Sequence, residues 1–258
     1  MSHPSDGPIL ECHRLTKIFG GMVAVNGVSF SVDPGSIVGL IGPNGAGKTT
    51  VLNLISGVLR PNAGTVRLRG QNIAGLAPHA ITRRGVGRVL QIPRLFLGMT
   101  VLDNVTVGAV FGQGAGRRDV PAARRQAEET LALVGLEDKR DKPVARLNLQ
   151  EKKLVDLARA LAARPELILI DEVMSGLNPG EVESCVRLLR RVRDELQVAI
   201  VWVEHVMTAI MSAAERVFVL DYGRVIAAGT PGEIANNPAV VQAYLGVVPP
   251  AQGVEQRR

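Results

Sequence analysis

Apolar and polar residues alternate in several short stretches of the chain, and other stretches are wholly apolar. Alternation over residues 9–32, with Val28 and Phe30 among the apolar positions, predicts half-buried antiparallel strands. The uninterrupted apolar runs are typical of parallel strands that are covered on both faces. These runs span residues 37–41, 167–170 and 198–203, while alternation recurs at 65–69 and a terminal hairpin is predicted from 217–220 and 224–226 around Tyr222 and Gly223.

The middle of the chain carries apolar residues at helical spacing. Leu154, Leu157 and Leu161 recur three and four positions apart, with charged residues between them. Residues from about 92 to 163 are therefore predicted to be helical, with a loop at 112–119. A further helical pattern follows residue 178, and its predicted buried face comprises Val182, Val186, Leu189 and Leu196.

A glycine-rich segment between a predicted strand and a predicted helix matches the phosphate-binding pattern G-x-x-x-x-G-K-[ST] at every position. Its glycines allow the backbone to wrap phosphates, and the positive end of the helix dipole favours the same anions. Lys48 supplies an ammonium group, and the Thr49 hydroxyl suits a Mg²⁺ ligand. The sequence therefore predicts a nucleoside triphosphate site. This segment, called the phosphate loop below, comprises Gly42, Pro43, Asn44, Gly45, Ala46, Gly47, Lys48, Thr49 and Thr50.

Two acidic residues end the apolar run at residues 167–170. A buried strand there delivers Asp171 to its carboxyl end, where its carboxylate is placed to hold the hydration shell of Mg²⁺ near Thr49. Glu172 follows directly and is predicted to lie near the γ-phosphate, where it polarises the attacking water. The alternative, two solvated acids at a strand end, is disfavoured by the phosphate loop.

These patterns together predict an α/β fold. We expect a P-loop NTPase core with a parallel central sheet, an antiparallel β subdomain and an α-helical insertion subdomain. A single domain is predicted over residues 9–246, with core segments at about 9–91 and 164–246 and the insertion at about 92–163. Residues 1–8 and 247–258 are interpreted as tails.

Composition narrows the class of partner. A net charge of +6 and a pI near 9.8 are compatible with nucleic acid or with an anionic membrane surface. Only 3% of residues are aromatic and the basic pairs are scattered, which disfavours nucleic acid. No apolar run approaches the ~20 residues that cross a bilayer, and the polar N-terminus does not resemble a secretion signal. Two distant cysteines, Cys12 and Cys185, favour a reduced, cytosolic protein.

With these motifs, the chain resembles the ATP-binding subunits of ABC transporters over about residues 9–246. The resemblance implies ATP hydrolysis with Mg²⁺ and assigns three more residues. Phe19 matches the aromatic residue that stacks on adenine, although a core position is the alternative. Gln91 matches the glutamine that senses Mg²⁺ and the attacking water, at the start of the helical insertion. His205 matches the switch histidine that contacts the γ-phosphate; a solvated or capping histidine is the alternative.

The chain departs from the family pattern at its signature loop. The usual L-S-G-G-Q is replaced by L-N-L-Q-E at residues 147–151. The resemblance implies that this loop faces the nucleotide held by a partner subunit. Asn148 keeps a hydrogen-bond donor, whereas the loss of both glycines restricts close backbone approach to phosphate. Asn178 likewise replaces the usual aspartate after the Glu172 loop. The signature loop of this chain is Leu147, Asn148, Leu149, Gln150 and Glu151.

Within the family, the chain most resembles the ATPases of branched-chain (hydrophobic) amino acid importers and their urea and amide relatives. Supporting segments are residues 91–96, residues 171–179 and the ending at 237–246. The resemblance implies a second ATP-binding subunit, two transmembrane permease subunits and a periplasmic solute-binding protein. It places this chain at the cytoplasmic face of the inner membrane, and the eroded signature loop favours a heterodimer.

Residues 93–99 carry Leu95, Phe96, Leu97 and Met99 beside Arg94, and suit a groove for a permease helix. The equal alternative is that these residues form the core of the insertion.

Two other function classes compete. ABC ATPases that act on DNA or ribosomes generally have two ATPase halves or a long coiled coil, and nucleic-acid stimulation would identify one. A small-molecule kinase would transfer phosphate to a metabolite and would have no use for Gln91, Glu172 and His205 together.

Overall fold

The computed structural model describes residues 7–112 and 119–245 of the chain. The predicted loop at 112–119 lies mostly outside the described residues, as do the tails apart from residues 7 and 8. The strands are β1 (Leu10–Phe19), β2 (Met22–Val32), β3 (Ile37–Ile41), β4 (Ala63–Leu68), β5 (Gln71–Asn72), β6 (Val86–Val89), β7 (Leu167–Asp171), β8 (Ala199–Val203), β9 (Arg216–Asp221) and β10 (Arg224–Gly229).

Helices connect most of these strands, and several are short. Two single 3₁₀ turns, Glu137–Lys139 and Val144–Arg146, lead into the signature loop. The α-helices of the described residues are α1 (Lys48–Ile55), α2 (Pro78–Thr82), α3 (Val101–Phe111), α4 (Val120–Val134), α5 (Leu149–Ala162), α6 (Pro179–Leu196), α7 (Met207–Ala213), α8 (Pro231–Ala235) and α9 (Pro238–Leu245).

A six-stranded sheet occupies the centre of the fold, in the order β10-β9-β3-β8-β7-β6. Its neighbours pair in parallel except for the terminal hairpin of β9 and β10. Every residue of β3, β7 and β8 is buried, as the wholly apolar runs predict. Because parallel strands end at the same edge of a sheet, the loops after β3, β7 and β8 lie beside one another.

Alternate residues of the central strands pack into two different apolar layers. Ile168 and Ile170 of β7 face a layer that includes α5 and α6. Leu167 and Leu169 of the same strand face a layer formed with α1 and the antiparallel sheet. Because successive side chains of β7 point to opposite faces, one face of the strand packs against the helical part and the other against the antiparallel part.

The second sheet is antiparallel, in the order β2-β1-β4-β5. The alternating pattern over residues 9–32 becomes the hairpin of β1 and β2, in which Phe30 pairs with Cys12 and Met22 with Phe19. β2 also contacts β10, and its Ala24 lies against the phosphate loop at Gly47. The hairpin is thereby placed over one side of the phosphate loop.

The helical segment between β6 and β7 differs from its prediction at the start. Residues 92–100 form no helix, and α3 begins only after Thr100, whose hydroxyl accepts a hydrogen bond from the Asp103 amide at 3.1 Å. Pro93 restricts the residue before it to extended backbone, and the Thr100 cap favours a helix start further along. The helical prediction for about 92–163, which included a loop at 112–119, is therefore wrong for these nine residues. It is also wrong for residues 135–148, which form no α-helix, only turns and the two 3₁₀ segments.

Leu196 is a second difference. It is 45% exposed, whereas Val186, Leu189 and Val192 form the buried face of α6. Leu196 is the last residue of the helix, and the chain leaves it through Gln197 in the left-handed conformation, at φ +53°. The helical period holds along α6, but its end projects beyond the layer that it covers.

The length and apolar character of each helix decide whether it could span a membrane. Across the described residues, no helix combines enough length with enough apolar character to cross a bilayer.

Asn104 of α3 holds the irregular segment before that helix. Its side-chain oxygen accepts from the Phe96 amide at 2.8 Å, and its NH₂ group donates to the carbonyls of Phe96 (3.1 Å) and Thr100 (2.9 Å). The side chain is fully buried. The Asn104 side chain therefore holds residues 96–100 together with main-chain hydrogen bonds, in which the Met99 amide donates to Phe96 and the Met99 carbonyl accepts from Val144.

We predict that Asn104→Ala lowers the free energy of unfolding by about 2 kcal/mol, because buried backbone groups lose their partners. Urea unfolding of the purified subunit measures this. Thr106→Ala, on the same helix, removes only a hydroxyl bonded to the Leu102 carbonyl and should change stability by less than about 0.5 kcal/mol. Equal stability of Asn104→Ala and wild type would show that the three hydrogen bonds contribute nothing.

Candidate functional site

The phosphate loop leaves the carboxyl end of β3 and leads directly into α1. Two of its glycines have no room for a side chain. A Cβ on Gly42 would lie 2.1 Å from the Leu220 carbonyl oxygen, and one on Gly47 would lie 2.5 Å from that of Ala24. Gly47 also has φ +100°, in the left-handed region. The loop can therefore keep this curve only with glycine at both positions.

Lys48 lies folded over the phosphate loop. Its Nζ donates to the carbonyls of Gly42 at 2.8 Å and Pro43 at 3.0 Å. Burial lowers the pKa of Lys48, while the carboxylates of Glu172 and Asp171 act in the opposite direction. The present partners of the ammonium are neutral carbonyls. An anionic phosphate would be a stronger partner and would replace them.

Thr49 and Asp171 form the second part of the site. The Thr49 hydroxyl donates to Oδ1 of Asp171 at 3.3 Å. A hydroxyl beside a carboxylate offers the hard oxygen ligands that Mg²⁺ prefers, so this donor set fits that ion. The structure therefore brings together two of the three residues that the sequence assigned to a metal.

Arg88 of β6 holds the other oxygen of Asp171. Its guanidinium lies 3.5 Å from Oδ2 and also donates to the Ser56 hydroxyl at 2.6 Å, at the end of α1. Burial raises the pKa of Asp171, and Arg88 opposes this by favouring the charged carboxylate. Sequence analysis missed Arg88, although a charged residue inside a short apolar strand was a usable signal.

Glu172 is held from two sides. Gln91 donates from Nε2 to Oε2 of Glu172 at 2.5 Å, and Nε2 of His205 lies 2.7 Å from Oε1. The backbone of Glu172 has φ +49°, a strained conformation for a residue with a side chain, and its amide donates to the Val203 carbonyl at 2.9 Å. Two residues that are far apart in sequence, Gln91 and His205, thus converge on the carboxylate of Glu172.

A cleft of about 290 Å³ links the phosphate loop to the β1–β2 hairpin. Phe19 lines it and is 41% exposed, so its ring is not part of the core. Lys17 lies 5.1 Å from the centre of that ring. Met22, which the sequence analysis did not select, lines the cleft beside it. An aromatic face and a thioether at one end of a phosphate site suit a planar base.

The signature loop lies away from this cleft. Asn148 caps α5: its side-chain oxygen accepts from the Glu151 amide at 2.8 Å, and Glu151 accepts from the Asn148 amide at 2.9 Å. Glu151 also pairs with Lys139 at 2.5 Å. Leu149 is exposed. None of the residues Leu147–Glu151 lines the cleft at the chain's own phosphate loop. The two capping hydrogen bonds use the main-chain amide and the side-chain oxygen of Asn148, and do not involve its NH₂ group.

Asn178 also acts as a helix cap. Its side-chain oxygen accepts from the Glu181 amide at 3.0 Å, and the Glu181 carboxylate accepts from the Asn178 amide at 2.8 Å. Asparagine is as good a cap as aspartate, so this replacement preserves the start of α6.

Comparison with known proteins agrees with this geometry. The sequence matches the family described as ABC transporter over residues 25–175, and the family described as branched-chain amino acid ATP-binding cassette transporter over residues 224–248. It is 38% identical to the high-affinity branched-chain amino acid transport ATP-binding protein BraF of Pseudomonas aeruginosa, over 93% of this chain and 98% of the relative. LivG of Escherichia coli K12, of the same description, is 37% identical with the same coverage.

Solved structures show the same fold. A nucleotide-free ATP-binding cassette from an ABC transporter has a TM-score of 0.84 at 26% identity, over 93% of this chain and 100% of that one. A second cassette, in its ADP conformation, has a TM-score of 0.83 at 27% identity, with the same coverage. On the sequence matches, the fold and the arrangement of its motifs, the chain belongs to the ATP-binding subunits of the ABC transporter family.

Proposed function

We propose that this chain hydrolyses ATP to ADP and phosphate and thereby energises an importer of branched-chain amino acids. The observation that carries the proposal is the convergence of Gln91 and His205 on Glu172, beside the phosphate loop. The solute is inferred from the descriptions of BraF and LivG and from the match over residues 224–248. Urea, amides or another small organic solute remain the alternative class.

ATP binding is assigned to the cleft and the phosphate loop. The adenine ring stacks on Phe19, the loop amides and Lys48 hold the phosphates, and the positive end of α1 favours their charge. Thr49, Gln91 and Asp171 are the residues that would hold Mg²⁺, directly or through water. When bound, Mg²⁺ would supply positive charge that neutralises the phosphates of ATP.

Hydrolysis is assigned to Glu172. Its carboxylate accepts a proton from water as the water oxygen bonds to the γ-phosphorus and the bond from phosphorus to the ADP oxygen breaks. Gln91 and His205 each occupy one acceptor position of the carboxylate, so each oxygen keeps another for water. We expect His205 to turn towards the γ-phosphate once ATP is bound.

The signature loop is assigned to the partner's nucleotide. Its residues do not line the chain's own cleft, which fits a head-to-tail dimer in which each phosphate loop faces the other subunit's signature loop. A dimeric post-hydrolysis state of an ATP-binding cassette with ADP and phosphate, 26% identical with a TM-score of 0.77, supports such pairing. We propose a heterodimer, because a loop of Asn148–Glu151 completes the partner's site poorly.

Residues 93–99 are proposed to dock a helix of the permease. Phe96 is 48% exposed and Leu97 61%, whereas Leu95 packs against the core. The Arg159 guanidinium lies 5.9 Å from the centre of the Phe96 ring and donates to the Arg94 carbonyl at 2.6 Å. These exposures favour docking over the alternative of a core position for Phe96. The assembly would comprise two permease subunits, a second ATPase and a periplasmic binding protein, with this chain at the cytoplasmic face of the membrane.

Substitutions at Lys48 and Glu172 separate binding from hydrolysis. We predict that Lys48→Ala abolishes or nearly abolishes ATP binding, because it removes the one side-chain charge on the phosphates. Glu172→Gln should bind ATP normally and hydrolyse it roughly 10²–10⁴-fold more slowly, as for a lost general base. Nucleotide binding and phosphate release measure the two steps. Equal hydrolysis by Glu172→Gln and wild type would exclude Glu172 from its assigned role.

The two nucleotide sites of the assembled ATPase should be unequal. Turnover is predicted to rise well above that of the chain alone when the second ATPase and the permease subunits are added. Titration of the partner against a fixed amount of this chain measures the effect. Full solute-coupled turnover in an assembly with two copies of this chain and no other ATPase would contradict the heterodimer.

Phe96→Asp tests the docking segment. The isolated variant should keep its melting temperature and its ATP affinity, because the half-exposed ring is remote from the cleft, but should fail to assemble with the permease or to support transport. Leu95→Asp is the matched control, and should destabilise the isolated subunit because Leu95 packs on the core. An unstable Phe96→Asp would favour the core reading, and normal transport by a stable Phe96→Asp would exclude both readings.

A further inference from the structure

Two buried charges outside the predicted site flank the loop that joins β7 to α6. Glu204 follows β8 and is 2% exposed, and Lys153 lies in the second turn of α5 and is 7% exposed. Sequence analysis selected neither residue. A buried ion is costly unless several partners compensate it, so the partners of these two side chains indicate what each one does.

Glu204 joins two segments of the site. One carboxylate oxygen accepts from the Met174 amide at 2.6 Å, and the other accepts from the His205 amide at 3.0 Å. Burial raises the pKa of Glu204, and the amides of Met174, His205 and Val206 oppose this because they stabilise the carboxylate. The loop after Glu172 and the switch histidine are therefore fastened to one side chain.

Lys153 holds the same loop from another element. Its Nζ donates to the Ser175 carbonyl at 2.5 Å, one residue beyond the amide that Glu204 binds. Burial lowers the pKa of Lys153, and the Glu204 charge raises it. α5 begins at the signature loop, so Lys153 connects that loop to residues 174–175 within one helical turn.

These contacts form a continuous path between the two functional surfaces of the chain. The path runs from α5 through Lys153 to Ser175, and from Met174 through Glu204 to His205. His205 in turn lies 2.7 Å from Glu172. The hydrogen bonds of Lys153 and Glu204 are to main-chain groups, and only the final contact of His205 with Glu172 joins two side chains. A movement of α5 therefore displaces backbone that is attached to the switch histidine.

We propose that Glu204 and Lys153 are positioning residues for hydrolysis. Together they fasten the loop at 173–178 to His205 and to α5, so that the signature loop, on meeting the partner's nucleotide, sets the place of His205 relative to Glu172 and the γ-phosphate. The inference rests on the proposed ATPase function. It assigns Glu204 an effect on turnover that acts through His205 and leaves ATP binding unchanged.

The test compares Glu204→Leu and Glu204→Gln in the assembled transporter. Glu204→Leu should lower kcat roughly tenfold to hundredfold, the cost of a misplaced catalytic group, while the Kd for ATP stays within about twofold of wild type. Glu204→Gln keeps one acceptor oxygen and should recover part of the loss. Cys185→Ala is the matched control: its half-buried thiol lies beside the same pair, and its removal should leave kcat unchanged.

A double-mutant cycle separates positioning from a merely structural role. On a His205→Ala background, Glu204→Leu or Glu204→Gln should slow turnover by less than about twofold more, because the residue through which it acts is gone. Lys153→Met should slow turnover on the wild-type background and much less beside Glu204→Leu. Independent, multiplying losses across His205 and Glu204 would overturn the proposal, as would wild-type kcat in Glu204→Gln and Lys153→Met.

Amide hydrogen exchange of the isolated subunit gives a readout that needs no ATPase activity. Glu204→Leu, which removes both acceptor oxygens, should speed exchange at Met174 and His205 by about tenfold or more, and Cys185→Ala should not. Unchanged exchange at both amides would overturn the positioning role. Faster exchange without any ATP hydrolysis by the wild-type assembly would instead refute the proposed function and leave the contacts of Glu204 established.

Discussion

The register of three adjacent parallel strands determines where the site residues lie. β7 pairs Asp171 with Val203 of β8, and β8 pairs Val203 with Leu40 of β3. The three strands therefore end at one level, and the phosphate loop, Glu172 and the segment at 204–205 leave the sheet side by side. A shift of one residue in any of these pairings would turn the ends of the strands to the opposite layer and separate the site.

The charged side chains at this edge of the sheet all have partners. Lys48 and Arg88 lie among Asp171, Glu172 and Glu204, and each of these five side chains has a hydrogen-bond partner or an ion-pair partner. Burial makes every uncompensated charge here costly, so binding of a nucleotide with its metal ion has to rearrange partners rather than add contacts to free groups. Lys48 exchanges loop carbonyls for phosphate, and His205 has the γ-phosphate as an alternative to Glu172.

The sequence predicted most of the strands and the motif residues because their signals are local, whereas no pattern marked the short strands β5 and β6. A wholly apolar run or a glycine-lysine pattern is read within ten residues, and the pairing of β9 with β10 followed from one turn. The start of α3 was not predicted, because the Thr100 cap and the contacts of Asn104 outweigh the apolar character of residues 92–99. Arg88, Lys153 and Glu204 were missed because their partners are main-chain or distant groups, which become neighbours only after the strands align.

The central claim is that hydrolysis at Glu172 is coupled to import of a branched-chain amino acid. The most direct measurement is ATP hydrolysis by the complete transporter in proteoliposomes, with the binding protein present and the concentration of leucine, isoleucine or valine varied on its side of the membrane. If hydrolysis is coupled to import, its rate should rise with the concentration of the amino acid, and labelled amino acid should accumulate in step with phosphate release. Hydrolysis that ignores these amino acids, with no solute uptake, would contradict it.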